Sequence, residues 1–583
     1  MRNFFPFLDW LPGYRKQFLS RDLLTGFTVA IVLIPQGMAY AMIVGLPPVY
    51  GLYASLIPLI LYAFLGTSRR LAVGPVAMDS LLVAAGLGAL NITGLQNYIA
   101  IVLFLTFFVG VIQLLLGFLR MGFFVNFLSK PVISGFTSAA ALIIMFSQLK
   151  HLLGTNILGG TKLNQLFLSA VRELPQTNHF DLGIGIIGIL IILGLKKWNK
   201  KIPGILIVVI LGIVVTYTFQ LQLKGLKIVG EIPEGLPLFQ LPLSDLGSNL
   251  GYFKKLWPIA LTLALIGYLE AISIGKSIEE KNNEETIDPN QELVALGASN
   301  IAGSFFHSFP VTASFSRSAI SNEMKANTPL AGIITAIIVL LTLLFMTPLF
   351  YYLPKTILAS IIMISVFGLI DVAYAKSLWK HRKDEFILLF ITFLFTLFIG
   401  ITAGILIGVL ISLLLMVYRT SNPHIAVLGR IKDTDYYKNV SRFDRDIEVR
   451  EDLLILRFDS QLYFGNTNYF KRKLFELIDE RGSAVKGVIL NAEAINYIDA
   501  TAAQMLIKVI QKLHDQNIAF FIAGAIGPTR DIIFSSGIIE VLNREFLFVR
   551  TKEAVEYFED PSAVSIIGSR LAYQNKARNK KNH

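Results

Sequence analysis

The sequence predicts an all-α polytopic membrane domain of about fourteen spans followed by a small α/β domain. Three observations carry this. Of 583 residues, 54% are hydrophobic and 16% are charged, against about 25% charged in soluble domains, and the mean hydropathy is +0.61. Apolar runs near the roughly 20 residues that cross a bilayer recur as far as Thr420, for example over 103–119 and 332–350. After Ser421 charges become frequent, and strand-like and helix-like stretches alternate.

In chain order, residues 1–21 carry Arg2, Arg15 and Lys16 but no short apolar core with a small-residue cleavage site. They read as a cytosolic leader lying at the interface. The transmembrane domain is expected over 22–420, with spans at 22–40, 48–66, 74–88, 98–119, 129–149, 181–196, 203–220, 255–275, 291–305, 312–322, 329–351, 356–371, 385–399 and 401–418. With a cytosolic amino-terminus, the inward loops hold Arg69 and Arg70, Arg120 and Lys130, Lys196, Lys197, Lys200 and Lys201, then Lys376, Lys380, Arg382 and Lys383. The outward loops after the third and thirteenth spans hold neither Lys nor Arg, so the positive-inside rule and the even count agree on two cytosolic termini. The same rule explains the net charge of +12 without nucleic acid as a partner. The lack of cysteine excludes disulfides and thiolate chemistry.

Residues 421–560 are expected as a cytosolic α/β domain. LLILRF, VKGVILN and IAFFIAG read as strands, while NYFKRKLFELIDERG and ATAAQMLIKVIQKLHDQN read as helices. The remainder, 561–583, ends in RLAYQNKARNKKNH and is expected to be a basic disordered tail.

Two segments depart from ordinary membrane helices. LAVGPVAMDSLLVAAG and HSFPVTASFSRSAI each set a proline and small residues at the start of a hydrophobic stretch, and they fall in opposite halves. Paired interrupted segments point to a transporter substrate site. Helix starts present free N–H groups and a positive dipole end, which favours an anion. Pro75 and Pro310 are 235 positions apart, and the same shift carries Pro35, expected to break the first span, onto Glu270 in the eighth. Seven spans then repeat as seven in inverted orientation.

Glu270 lies within an apolar run, where a carboxylate costs a few kcal/mol on insertion scales and is functional by default. It could take up and release a proton. The plainer reading is a structural pair with Arg317, which stands inside the expected tenth span after Ser314 and Ser316. Hydroxyls, free N–H groups and a guanidinium suit an oxyanion. A helix starting at Thr312 would set Arg317 more than one turn in, acting through its field. Asp79 and Ser80 lie one turn after Pro75. A carboxylate beside an anion is unfavourable unless protonated or paired, so the role of Asp79 stays open among a partner for Arg317, a water-facing group and a cation ligand. Gln36 could donate to substrate oxygens and Tyr40 could wall the pocket. His307 reads as a proton relay or a structural histidine, and Asn300 as an interhelical hydrogen-bonder. The Gly and Ala repeats of the first three spans read as close-packing surfaces. No metal cluster, phosphate loop or catalytic triad is evident in the sequence, so neither an enzyme nor a cofactor is expected.

TGFTVAIVLIPQGMAYAMIVGLPPVYGLYASLIP resembles the signature of the SulP family of anion transporters, which includes sulfate permeases. LAVGPVA, IGYLEAISIGKS, ALGASNIAGSFF and ASFSRSAI continue the match in order, and VILNAEAINYIDATAAQML is similar to the core of a STAS domain. The resemblance implies fourteen spans in two inverted seven-span repeats, a core domain moving against a gate domain in an elevator-like way, and homodimers. It implies an anion site between the broken third and tenth spans, lined by Gln36, Tyr40, Pro75, Val76, Ala77, Phe315, Ser316 and Arg317. Glu270 matches the carboxylate of proton-coupled members, whereas sodium-coupled ones carry Asp there. Two departures stand out. Plant members are apolar where this chain has Asp79. Phosphoregulated STAS domains have Asp-Ser where this chain has Asp499-Ala500-Thr501, so the phosphoacceptor is missing unless Thr501 substitutes, and docking of a cytosolic partner without that switch is expected.

The expectation is therefore secondary active import of a small oxyanion, sulfate, by proton symport at the plasma (inner) membrane. Within transport, the alternatives are bicarbonate or a C4-dicarboxylate as substrate, and passive anion exchange or channel conduction. A membrane sensor signalling through the STAS domain is the alternative of another class.

Overall fold

The computed structural model describes residues 6–88, 90, 92–123, 129–155, 163–198, 203–233, 235–242, 246–282, 287–443 and 447–562. The chain divides near residue 412 into two compact units.

The first unit runs α1 (Phe7–Trp10), α2 (Lys16–Val44), α3 (Val49–Tyr53), α4 (Ile57–Leu65), β1 (Val73–Gly74), α5 (Ala77–Gly88), α6 (Leu95–Phe118), α7 (Lys130–Leu152), α8 (Leu163–Glu173), α9 (His179–Trp198) and α10 (Gly204–Phe219). It continues with α11 (Leu246–Asn282), α12 (Pro289–Ser304), β2 (Thr312–Ala313), α13 (Phe315–Glu323), α14 (Leu330–Phe345), α15 (Lys355–Phe367), α16 (Val372–His381), α17 (Lys383–Phe398) and α18 (Ile401–Ser421). Each of the fourteen expected spans falls on helix. Among the described residues, seven helical stretches are long and apolar enough to cross a bilayer by themselves, and shorter apolar helices accompany them.

Several expectations need correction. Pro35 does not break the first span: α2 runs through it, because the lost N–H bond and the clash of the ring with the preceding turn are offset by the packing that buries this stretch of the helix. That helix starts at Lys16, so the expected leader 1–21 ends inside it. Asp22 pins its first turns, accepting from the N–H of Asn327 at 2.9 Å and the hydroxyl of Thr328 at 2.7 Å. The second span is two short helices, α3 and α4, and the twelfth ends at Phe367. The amphipathic helices α8 and α16 were not foreseen, since their apolar stripes are too narrow for a span: in α8 only Leu166 and Ala170 are buried. Lys200, Lys201 and the tail from 563 onward lie outside the described residues.

Glycines set the closest helix approaches. A Cβ on Gly297 of α12 would lie 2.6 Å from the backbone nitrogen of Leu114 in α6, and one on Gly110 2.8 Å from the carbonyl oxygen of Gly297. Such small residues let membrane helices meet backbone to backbone. Gly37 of α2 and Gly51 of α3 meet the same way, in keeping with the close-packing reading of that region.

The second unit holds a seven-stranded sheet. Its strands are β3 (Ile425–Ile431), β4 (Tyr437–Asn439), β5 (Ile447–Glu448), β6 (Leu453–Phe458), β7 (Gly487–Asn491), β8 (Ala519–Ala523) and β9 (Leu547–Phe548). The order is β4-β3-β6-β7-β8-β9, with β5 also on β3; β6 to β9 are parallel and the pairs made by β3 antiparallel. The helices are α19 (Thr467–Arg481), α20 (Ala500–Asp515), α21 (Gly527–Ser535), α22 (Ile538–Leu542) and α23 (Thr551–Glu559). The two-residue side-chain period of β6 divides the core: Leu454, Leu456 and Phe458 pack on one face, Leu453 and Ile455 on the other. Both faces are covered, as parallel sheets require. Asp499 caps α20, accepting from the N–H of Ala502 at 2.7 Å and from that of Phe464 at 2.8 Å, while Thr501 is exposed as the second residue of that helix.

Candidate anion site

The two chain breaks meet. β1 and β2 pair antiparallel, Val73 opposite Ala313 and Gly74 opposite Thr312. The N–H of Ser314 donates to the carbonyl of Ala72 at 3.0 Å and the Ser318 hydroxyl accepts from the N–H of Ala72 at 2.9 Å, which extends the join. Asn300 braces it by donating to Gln113 at 3.0 Å and to the carbonyl of Val311 at 3.1 Å, and by accepting from the N–H of Val311 at 2.9 Å. Gly74 has φ 150°, and a Cβ there would lie 3.3 Å from Arg317 Nη2; both conditions select glycine. From this short sheet the chain enters α5 at Ala77 and α13 at Phe315. No side chain caps α13, and the opening N–H groups of any helix lack intrahelical partners.

The late start of α13 corrects the expectation for Arg317. Thr312 and Ala313 are strand, so Arg317 is the third helical residue, within the first turn. Its side chain is fully buried. Nη2 donates to the carbonyl of Pro75 at 2.8 Å, Nη1 reaches Gln36 Oε1 at a long 3.5 Å, and Nε has no hydrogen-bond partner. The guanidinium therefore ties α2, the β1–α5 corner and α13 together and keeps donor capacity in reserve.

The other candidates divide into two groups. Gln36 and Tyr40 are buried one turn apart on α2. Gln36 is engaged on both sides, since its Nε2 donates to Ser365 Oγ of α15 at 3.3 Å. Pro75, Val76 and Ala77 are buried at the β1–α5 corner, whereas Phe315 and Ser316 are exposed at the start of α13. Ser316 Oγ lies 3.3 Å from Ser314 Oγ. Glu270 of α11 is partly buried, and its Oε2 is buried without a hydrogen-bond partner. The charges of Asp79 and Arg317 both act on it, but no ion pair within contact distance joins Arg317 to either carboxylate among the described residues.

Two candidates turn away. Ser80 spends its hydroxyl on the Val76 carbonyl at 2.7 Å within its own helix. His307 has a left-handed backbone and packs its ring 5.7 Å from Tyr50 and 6.1 Å from Tyr53, and no contact found links it to the Arg317 group. Ser365 was missed by sequence reasoning: a serine inside an apolar span ordinarily bonds its own helix, and nothing near it marks a site. Glu292 was also missed. It is buried on α12 and accepts from Tyr62 at 2.9 Å and from the N–H and hydroxyl of Thr67 at 2.7 and 2.6 Å.

Comparison with known proteins agrees with this architecture. The sequence profile of the sulfate permease family matches residues 19–392, and that of the STAS domain residues 444–554. "Sulfate transporter 4.1, chloroplastic" of Arabidopsis thaliana is 37% identical over 573 residues, covering 95% of this chain and 82% of that protein. "Solute carrier family 26 member 6" of Homo sapiens is 34% identical over 80% of this chain and 64% of its own length. The solved structure of the murine Solute Carrier 26 family member A9 anion transporter in the inward-facing state superposes with a TM-score of 0.86 at 26% identity, covering 95% of this chain and 94% of that one. The transmembrane domain of a cyanobacterial bicarbonate transporter shares the fold at 22% identity, with a TM-score of 0.57 over 69% of this chain and 98% of that one. The chain belongs to the sulfate permease family of membrane transporters and carries that family's STAS domain.

Proposed function

We propose that the protein imports a small inorganic oxyanion, sulfate, by proton symport. The observation that carries the reading is the meeting of two helix starts around a buried guanidinium, with Glu270 nearby holding a buried oxygen that has no hydrogen-bond partner. The relatives named as sulfate transporters support the choice of anion. The anion is held by N–H groups at the starts of α5 and α13 and by the field of Arg317, with Phe315 and Ser316 at the mouth. Gln36, Tyr40, Pro75, Val76 and Ala77 form the walls. Preorganised donors of this kind offset the hydration that the anion loses on entry.

Protonation of Glu270 removes a buried negative charge from the loaded core, which eases its passage between outward- and inward-open states. The movement is elevator-like, a core carrying the two half-helices sliding against a gate, in a homodimer built from inverted repeats. Both termini face the cytosol at the plasma membrane, and the STAS domain serves docking or regulation without an Asp-Ser phosphoswitch.

Purified protein in vesicles should take up labelled sulfate faster under an inwardly directed acid gradient, and Glu270→Gln should remove that stimulation. A Glu270→Gln protein that keeps its full proton dependence would overturn the assignment.

A further inference from the structure

Asp79 is the group in this centre that an anion site does not call for, since its charge has the wrong sign. It is the third residue of α5, 2% exposed, and its Oδ1 has no hydrogen-bond partner. An acidic residue in the first turn of a helix ordinarily has a simple structural reading, accepting from nearby N–H groups, but this oxygen accepts from none. Its carboxylate packs against α11 at a glycine: a Cβ on Gly267 would lie 3.3 Å from Asp79 Oδ2. Gly267 and Glu270 are three residues apart and share a helix face. Thr312, the other neighbour of Gly267, has committed its hydroxyl to the Gly267 carbonyl at 2.5 Å.

The charged and titratable groups facing this point are Tyr40 from α2, Asp79 from α5, Glu270 from α11 and Arg317 from α13. One guanidinium therefore stands against two carboxylates, each with an unsatisfied buried oxygen. Fully ionised, Asp79, Glu270 and Arg317 carry a net charge of minus one. One proton brings them to zero and a second to plus one. A bound dianion shifts each state by minus two, so only the doubly protonated centre carries a single net negative charge. Every uncompensated charge moved through a dehydrated interior costs several kcal/mol, which selects that state for passage.

We propose that Asp79 is a second proton-carrying carboxylate, and that the transporter moves two protons with each divalent oxyanion, one on Asp79 and one on Glu270. The inference rests on the proton-symport reading above and fixes its stoichiometry. Glu270 is the more exposed of the two and receives the proton from water; Asp79, behind it, is loaded through it.

The test uses the full-length protein in vesicles with the voltage clamped by potassium and valinomycin, and labelled sulfate as the probe. Two protons per dianion make transport electroneutral. One pH unit should then balance about a hundredfold sulfate gradient, and an inside-negative potential should leave uptake unchanged. Asp79→Asn should lower the balance to about tenfold at zero voltage and make uptake fall as the interior becomes negative, while Asp79→Glu restores the wild-type ratio. A wild-type ratio of one proton per sulfate overturns the proposal, as does a two-proton ratio that survives in Asp79→Asn. If Asp79→Asn does not transport, the wild-type ratio and its voltage response decide alone. Loss of proton dependence in the wild type, or its persistence in Glu270→Gln, would instead defeat the underlying symport reading.

Discussion

Two sets of buried carboxylates sit in the membrane unit, and they are treated in opposite ways. Glu292 accepts from Tyr62 and twice from Thr67, and Asp22 is held by Asn327 and Thr328. Glu270 and Asp79 each leave a buried oxygen without a partner. A buried polar group without partners costs roughly 1–3 kcal/mol, more when charged. The first set is therefore built to hold helices in place. The second is left expensive in its charged form, which is the condition under which a carboxylate changes state when an anion or a proton arrives. Asp181 of α9 is likewise buried, with neither carboxylate oxygen hydrogen-bonded, so an open oxygen marks a costly charge and does not by itself assign a role.

The comparison can be broken in four places. Arg317→Ala should reduce sulfate uptake roughly 100-fold, the effect of truncating a buried hydrogen-bonded charge, with the protein still eluting as a folded species in size-exclusion chromatography. Glu292→Ala should do the reverse. It removes the carboxylate that accepts from Tyr62 and Thr67 and lowers stability by about 3 kcal/mol, read as a fall in melting temperature in detergent, while the pH dependence of uptake per folded molecule is unchanged. A Glu292 variant that alters the proton response would erase the distinction. Ser365→Ala frees Gln36 from α15; losing about 1 kcal/mol of hydrogen bonding should change the apparent sulfate KM severalfold. Asp499→Ala removes the cap of α20 and should destabilise the second unit by about 1 kcal/mol without altering uptake, whereas Asp499→Asn keeps the cap.

The sequence made the centre legible wherever a residue type was wrong for its surroundings. Pro75 and Pro310 with their small neighbours, and Glu270 and Arg317 in apolar runs, stand out against a lipid-facing pattern. Arg317 bonds to the Pro75 carbonyl, its charge acts on Glu270, and Pro310 leads into β2. What could not be read was pairing. A two-residue strand has no periodicity, so nothing in the composition of Thr312 and Ala313 indicates that they leave the helix to join Val73 and Gly74, and Arg317 was placed a turn too deep for that reason. Pro35 misled in the other direction, because its penalty depends on whether tertiary packing sustains the helix around it. Ser365 and Glu292 were invisible because a serine in a span and an acid near a helix start are ordinary there; only their distant partners distinguish them. In the second unit, LLILRF and the helix ending at Gly482 were clear from period and cap, while the short edge strands β4, β5 and β9 were too brief to register.

The ladder joining Val73 and Gly74 to Ala313 and Thr312 has a consequence for the two halves of the polypeptide. Each supplies one strand of the join, and backbone bonds stitch the two together. Neither half by itself holds the complete join, and one residue inserted on either side would flip the stitched side chains to opposite faces and pull Arg317 off the Pro75 carbonyl. Substitutions elsewhere in either half can be absorbed locally, but at this seam a change on one side demands an answering change on the other.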